Sequence, residues 1–292
     1  MGDCQQVIQL FIVHFTLFIH FCIVQLILTQ YAQVEGLSVK KEYRRIVVCI
    51  FIVALFFKVL RNMQTLFLRL SVSAPLRPDE TSGRGVRALA WLTAVGFALV
   101  TARGLLTANW WFFVMLSWNV FLAWFPLGVQ LVLRDLIGHR LVGRVGVWLG
   151  LGLWLLFMPN APYIITDLFH IQHIQAPLLW FDTMSLFLFA MTGLLAGLYS
   201  SYLAHRLLDQ LVGWPLAWVL MALCQGLAGF GIYLGRWGRW NSWNIMSKPW
   251  LLGQAVWQSA HDTLAVKLTL VYGFVLLGLY VAFWLYVRTE KK

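Results

Sequence analysis

The sequence predicts an all-α fold: a polytopic transmembrane helix bundle of about six core spans. Three observations carry that prediction. The 292 residues are 61% hydrophobic and only 11% charged, whereas soluble domains carry about 25% charged residues. Apolar runs approach the ~20 residues needed to cross a bilayer, and they recur at regular spacing after residue 85. Lys and Arg cluster in alternate connections, as the positive-inside rule requires of a multi-pass chain.

The first sixty-two residues read as a different material. All 16 tryptophans fall at or after Trp91, while three of the four cysteines precede residue 50. Residues 7–28 are long enough to span but would carry His14, His20 and Gln25 through the bilayer at considerable cost. Residues 46–57 are short for a span. They are flanked by Lys40, Lys41, Arg44 and Arg45 on one side and Lys58 and Arg61 on the other. Both flanks cannot stay inside if that segment crosses. The expectation is an atypical hydrophobic extension over 1–62, an accretion ahead of a true start at Met63; the alternative is a genuine extension with a re-entrant or interfacial second segment. Residues 63–85 then form a basic cytoplasmic linker, and 86–288 the six-span membrane domain.

Within that domain the spans fall at 86–106, 111–133, 145–158, 178–203, 214–235 and 264–287. Arg61, Arg69, Arg77 and Arg84 precede the first, and Arg87 lies at its start. Arg134, Arg140 and Arg144 follow the second, and Arg288, Lys291 and Lys292 close the chain. Residues 159–181 contain neither Lys nor Arg. Both ends of the core therefore face the cytoplasm, and 103–110, 159–181 and 236–262 face outward. Arg236, Arg239 and Lys248 defy the rule on the outer side. The net charge of +11 belongs to this loop asymmetry rather than to nucleic-acid binding. Cys4, Cys22, Cys49 and Cys224 form no CxxC pair, so neither a disulfide framework nor a cysteine zinc site is supported. The interiors of spans two to five lack ionisable residues, which argues against an ion-coupled transporter.

Polar chemistry concentrates at two places. In "LFMPNAPYIITDLFH", 156–170, Pro159 and Pro162 end the third span near Met158. A short helix can restart over 162–173, because proline suits a first turn. At 100° per residue Tyr163, Thr166, Asp167 and His170 would share one face, with Ile164, Ile165, Leu168, Phe169 and Ile171 opposite. That is the division of an amphipathic helix on the outer membrane surface, a pattern that needs no function. "GIYLGRWGRWNSWN", 231–244, places Arg236 and Arg239 one helical turn apart, with Trp237, Trp240 and Trp243 similarly spaced. The tryptophans read as an interfacial belt. The guanidiniums suit phosphate or carboxylate, either as structural partners of Asp167 or Asp182 or as a grip on an anionic headgroup. Asp182 and Asp262 read as N-caps. No cofactor is predicted, although His170, His173, His261 and Asp167 offer donors for a metal ion without any fixed ligand spacing.

"WNVFLAWFP", "WLLFMPNAPYIITDLFHI", "WFDTMSLFLFAMTG" and "GIYLGRWGRWNSW" together resemble an uncharacterised bacterial integral membrane protein family, a domain of unknown function, over roughly residues 88 to 287. The resemblance implies a multi-pass protein of the bacterial plasma membrane. It places Pro159, Asn160, Pro162, Tyr163, Thr166, Asp167, His170, Asp182, Gly235, Arg236, Arg239, Asn241, Ser242 and Trp243 on motif positions. Asn244 departs from it, standing where an aspartate is expected. The family carries no activity over to this chain.

The resulting expectation is an outward-facing polar site at the mouth of the bundle. Asp167 and His170 are its acid–base or ligand candidates, and Arg236 and Arg239 its anion-binding pair. Asn160, Tyr163, Thr166, Asp182, Asn241, Ser242 and Trp243 support them. Such a site would bind or process an anionic lipid or lipid-linked group in the bilayer, with no nucleic acid involved. A non-catalytic scaffold or partner subunit is the alternative, and a small-solute transporter the second alternative.

Overall fold

A computed structural model describes residues 80–173, 176–242 and 244–289. The extension over 1–62 and most of the basic linker lie outside the described residues, as does Trp243. Every regular element among the described residues is helical. Six helical runs are long and apolar enough to cross a membrane.

The helices are α1 (Glu80–Thr107), α2 (Trp111–Gly138), α3 (Arg144–Phe157), the single turn α4 (Asn160–Tyr163), α5 (Leu179–Val212), α6 (Trp214–Arg236), the short α7 (Asn244–Ser247), α8 (Pro249–Ala260) and α9 (Thr263–Thr289). A 3-10 segment, Ile164–His173, follows α4. Helix α5 runs well past the expected end at 203, because no glycine or proline follows Gly197 until Gly213. Gly213, at φ 84° and ψ 158°, caps both α5 and α6; that backbone conformation is essentially confined to glycine. Pro215 then opens α6 in its first turn, where the missing amide proton has no intrahelical acceptor in any case.

Helices α2 and α5 form the centre and contact each other, with α1, α3 and α6 packed around them and α9 laid along α6. Buried indoles tie neighbours together: Trp124 Nε1 donates to Thr93 Oγ1 at 3.1 Å, and Trp154 Nε1 to Ser200 Oγ at 3.2 Å. The ring of Phe189 meets Phe97 edge-on at 5.7 Å. Helices α6 and α9 approach backbone to backbone. A Cβ at Gly229 would stand 2.9 Å from the Gly273 nitrogen and the Thr269 carbonyl oxygen, the close approach that small residues permit between membrane helices.

The third crossing departs from expectation. Helix α3 stops at Phe157, ahead of Pro159, but the chain does not turn away. Met158 (φ −55°, ψ −38°), Pro159 (φ −60°, ψ −24°) and Ile164 (φ −59°, ψ −21°) all stay helical. Tyr163 N still donates to Pro159 O at 3.0 Å. The apolar run therefore extends from Arg144 to Gln172, long enough for one crossing. Helix α3 alone has 14 residues, about 21 Å at 1.5 Å each, short of the ~30 Å hydrocarbon layer. The PNAPYIITD segment completes the passage inside the bundle.

Candidate functional site

The PNAPYIITD segment is wedged between α5 and α6 by glycines. A Cβ at Gly231 would lie 2.5 Å from Pro159, one at Gly197 2.9 Å from the Ala161 Cβ, and one at Gly235 3.0 Å from the Tyr163 ring. Gly193 receives Ile164 and the Ala161 carbonyl. Gly193/Gly197 and Gly231/Gly235 are thus tight contacts with the motif, and Gly193 also approaches Ala123 of α2. Tyr163 has a packing role here, and Thr166 Oγ1 turns back to donate to Tyr163 O at 2.7 Å.

The polar stripe does not lie on the outer surface. Thr166 and Asp167 are each only 1% exposed, whereas Phe169 is 45% exposed. Two features account for the burial of Thr166 and Asp167. In a 3-10 helix neighbours advance by about 120° rather than 100°, so the four-residue face drawn at α-helical pitch does not exist. The wedge also presses the segment onto α2 and α5, and a buried carboxylate needs donors there. Asp167 finds one in Asn119 of α2, whose Nδ2 donates to Oδ2 at 2.6 Å. Its Oδ1 stands 3.9 Å from Arg236 NH1, and the Arg236 guanidinium lies 5.5 Å from the Phe169 ring centroid. The half-buried His170 ring meets Trp111 edge-on at 5.5 Å.

The two sequence motifs are joined directly. Asn160 Nδ2 donates to Ser242 Oγ at 3.1 Å, and Ser242 Oγ donates to Leu156 O at 3.1 Å. That carbonyl belongs to the last turn of α3, where helix acceptors run out of intrahelical donors. Asn241 is exposed, and its backbone N donates to Asn244 Oδ1 at 2.7 Å. Asn244 thus fills the acceptor role of the expected aspartate with an amide oxygen.

Arg236 and Arg239 do not share a helical face, because α6 ends at Arg236. Trp240 N donates to Leu234 O at 3.1 Å, closing a turn just past α6 in which Arg239 takes the left-handed conformation at φ 54°. The Arg239 side chain is exposed.

Asp182 is not an N-cap. It lies inside the first turn of α5, 1% exposed, and its Oδ1 accepts a hydrogen bond from Arg103 Nε at 2.6 Å. Arg103 NH1 also donates to Asn109 O at 3.3 Å, and the guanidinium lies 4.2 Å over the Phe112 ring. The reading of Asp262 agrees with the structure: its Oδ1 accepts from Leu264 N at 2.9 Å at the start of α9. Its Oδ2 accepts from Tyr233 Oη at 2.6 Å, and these two bonds hold the Asp262 carboxyl below its ordinary pKa.

Arg103, Asn119 and His205 are the polar residues that the sequence reading passed over. Asn119 was visible as one of two amides, with Gln130, in an apolar span, a placement that is costly without a partner. Arg103 had the same signal near the end of α1. His205 lies beyond the expected end of the fourth span; the longer α5 buries it, with Nδ1 2.6 Å from Tyr280 Oη. Among the described residues no group of three His, Cys, Asp or Glu side chains is placed to hold a metal ion. His261 Nδ1 stands 2.9 Å from Trp257 O, and the His173 side chain lies outside the described residues.

The site combines a buried carboxylate pinned by an amide with a half-buried guanidinium at its open end. A second guanidinium, that of Arg239, lies three residues further along the chain. Guanidiniums are chemically suited to phosphate or carboxylate; among the described residues of the site no nucleophile–base pair is seen. No curated protein and no solved structure matches the chain. Residues 118–287 match the family described as "Protein of unknown function (DUF1361)", beginning in α2 beside Asn119 and ending in α9. That match covers more than half of the 292 residues, and the chain belongs to this family of proteins of unknown function.

Proposed function

We propose that this multi-pass membrane protein, set in a bacterial plasma membrane with both core ends cytoplasmic, binds an anionic lipid headgroup or lipid-linked anion at its outward end through Arg236. The observation that carries this reading is the contrast between two arginines. Arg103 is 7% exposed and locked on Asp182 at 2.6 Å. Arg236 keeps 21% of its side chain exposed, and its carboxylate stands at 3.9 Å, beyond hydrogen-bond reach. A guanidinium so held is positioned by its counter-ion yet retains donors for a bidentate phosphate or carboxylate. Asp167 acts in this reading as the anchor of Arg236 rather than as an acid or base, and the function is binding rather than turnover.

Arg239 adds support. A non-glycine residue in the left-handed region costs roughly 1 kcal/mol or more, so glycine would serve the helix terminus better. An exposed arginine there makes sense as a second donor to the same anion.

Native mass spectrometry of the gently solubilised full chain tests this. The wild type should carry a discrete anionic adduct that Arg236→Gln loses. Arg239→Gly should weaken the adduct while raising stability by about 1 kcal/mol through relief of backbone strain. Equal loading of the wild type and Arg236→Gln would overturn the proposal. The glycine wedge favours a second reading, in which the motifs only shape a scaffold; Arg236→Gln would then lose stability and no ligand.

A further inference from the structure

We propose that α8, Pro249–Ala260, is an interfacial helix seated in the bilayer surface, with Trp250 and Trp257 lodged at the boundary between headgroups and acyl chains. Its twelve residues span about 18 Å at 1.5 Å each, too short to cross a hydrocarbon layer of ~30 Å. It carries no Asp, Glu, Lys or Arg, and none of its residues is buried. An uncharged helix of this kind has no solvated charged face to keep it in water.

Its circumference divides into three. At 100° per residue, Leu252, Ala255 and Ser259, the three partly covered residues, share the face turned to the rest of the protein. Val256, Ala260, Trp257 and Trp250 form a contiguous exposed apolar arc; Gln254 and Gln258 lie along its polar edge, with the exposed Leu251 beyond them. Trp250 is 77% and Trp257 71% exposed. Standing seven residues apart, the two indoles project from the same side. Amphipathic helices that lie in the membrane plane show this division, and indoles concentrate at that depth.

The position of α8 in the chain identifies what covers the arc. It joins α6 to α9, two helices that cross the membrane, and so returns to the face it started from. Lys248 precedes it and only His261 and Asp262 separate it from α9, whose first turns expose Leu264, Val266 and Leu270 as a lipid-facing surface. The apolar arc is thus continuous in sequence with a surface that lipid already covers. The occupant is the lipid boundary itself, not a second protein.

Nitroxide labels at Trp257→Cys and Gln258→Cys test the assignment, each in the full chain with its native cysteines replaced by alanine. The chain is placed in nanodiscs of phosphatidylcholine and phosphatidylglycerol, and power saturation reads collisions with oxygen and with a water-soluble nickel chelate. The label at 257 should favour oxygen over nickel several-fold relative to the label at 258. Equal nickel access at both positions would overturn the proposal by placing the helix in water. Shielding of 257 from both reagents would overturn it too, by showing protein on that face; dipolar coupling between labels would identify that protein as a second copy.

Discussion

Asp182→Asn removes one charge from the best-buried ion pair described, and its cost follows from the geometry. The side chains of Asp182 and Arg103 are 0% and 7% exposed, with Nε and Oδ1 2.6 Å apart. An isosteric amide leaves the guanidinium in place with the Asn109 carbonyl at 3.3 Å and the Phe112 ring at 4.2 Å, but with no counter-charge. Breaking a buried pair on one side typically costs about 3–5 kcal/mol, because the remaining charge stays desolvated. That is roughly two to four decades in the folded-to-unfolded ratio. Replacing both partners, Arg103→Leu with Asp182→Leu, should recover most of the loss, since apolar substitution of a whole buried pair is often neutral or stabilising. Reversible unfolding in mixed SDS micelles of the wild type, Arg103→Leu, Asp182→Leu and the double variant closes a thermodynamic cycle. Single losses below about 1 kcal/mol that simply add in the double variant would refute the claim that this pair clamps α1 to α5, because surface-like pairs are worth no more than that.

The wedge makes a prediction of its own. Gly231→Ala would drive a Cβ to 2.5 Å from Pro159, whereas Gly152→Ala meets nothing within 4 Å. The first should lose about 1–3 kcal/mol by overpacking and the second should be neutral or slightly stabilising; similar melting points for the two would contradict the packing described. For Asp262, the folded carboxyl sits below its unfolded value because Tyr233 and the Leu264 amide donate to it. A depressed carboxyl contributes stability above the unfolded pKa of about 3.9, and that contribution disappears as pH falls through the folded value. Asp262→Asn should therefore flatten the acid limb of the stability profile below about pH 4, and an unchanged limb would show that other groups govern it.

The long helices were legible because a bilayer permits few solutions: a backbone without water must satisfy its hydrogen bonds within each segment. Each of the six expected spans keeps its start or its end to within a few residues, and Gly213 and Pro215 separate the fourth from the fifth through local sterics. The candidate site was legible as a list of polar residues but not as an arrangement. Asp167, Arg236, Asn160 and Ser242 were all singled out, yet the motif's helical pitch, and with it the facing of Asp167, depended on glycines of α5 and α6 distant in sequence. Asp182 looked like a cap because the local pattern of a cap was present, while its real partner, Arg103, lies 79 residues away.

Composition and pattern by themselves determined that this chain is a membrane-crossing helical bundle, which segments cross, and which polar residues need an explanation. Those properties are set by the local free energy of placing each residue in water or lipid, and that can be summed along the chain. Tertiary structure alone decided that the PNAPYIITD segment turns its carboxylate inward onto Asn119, that Arg103 rather than a helix end holds Asp182, and that Arg236 stays half free. Those outcomes depend on which distant side chain arrives within about 3–4 Å, the range over which a buried charge is satisfied or left wanting, and no local pattern encodes that distance.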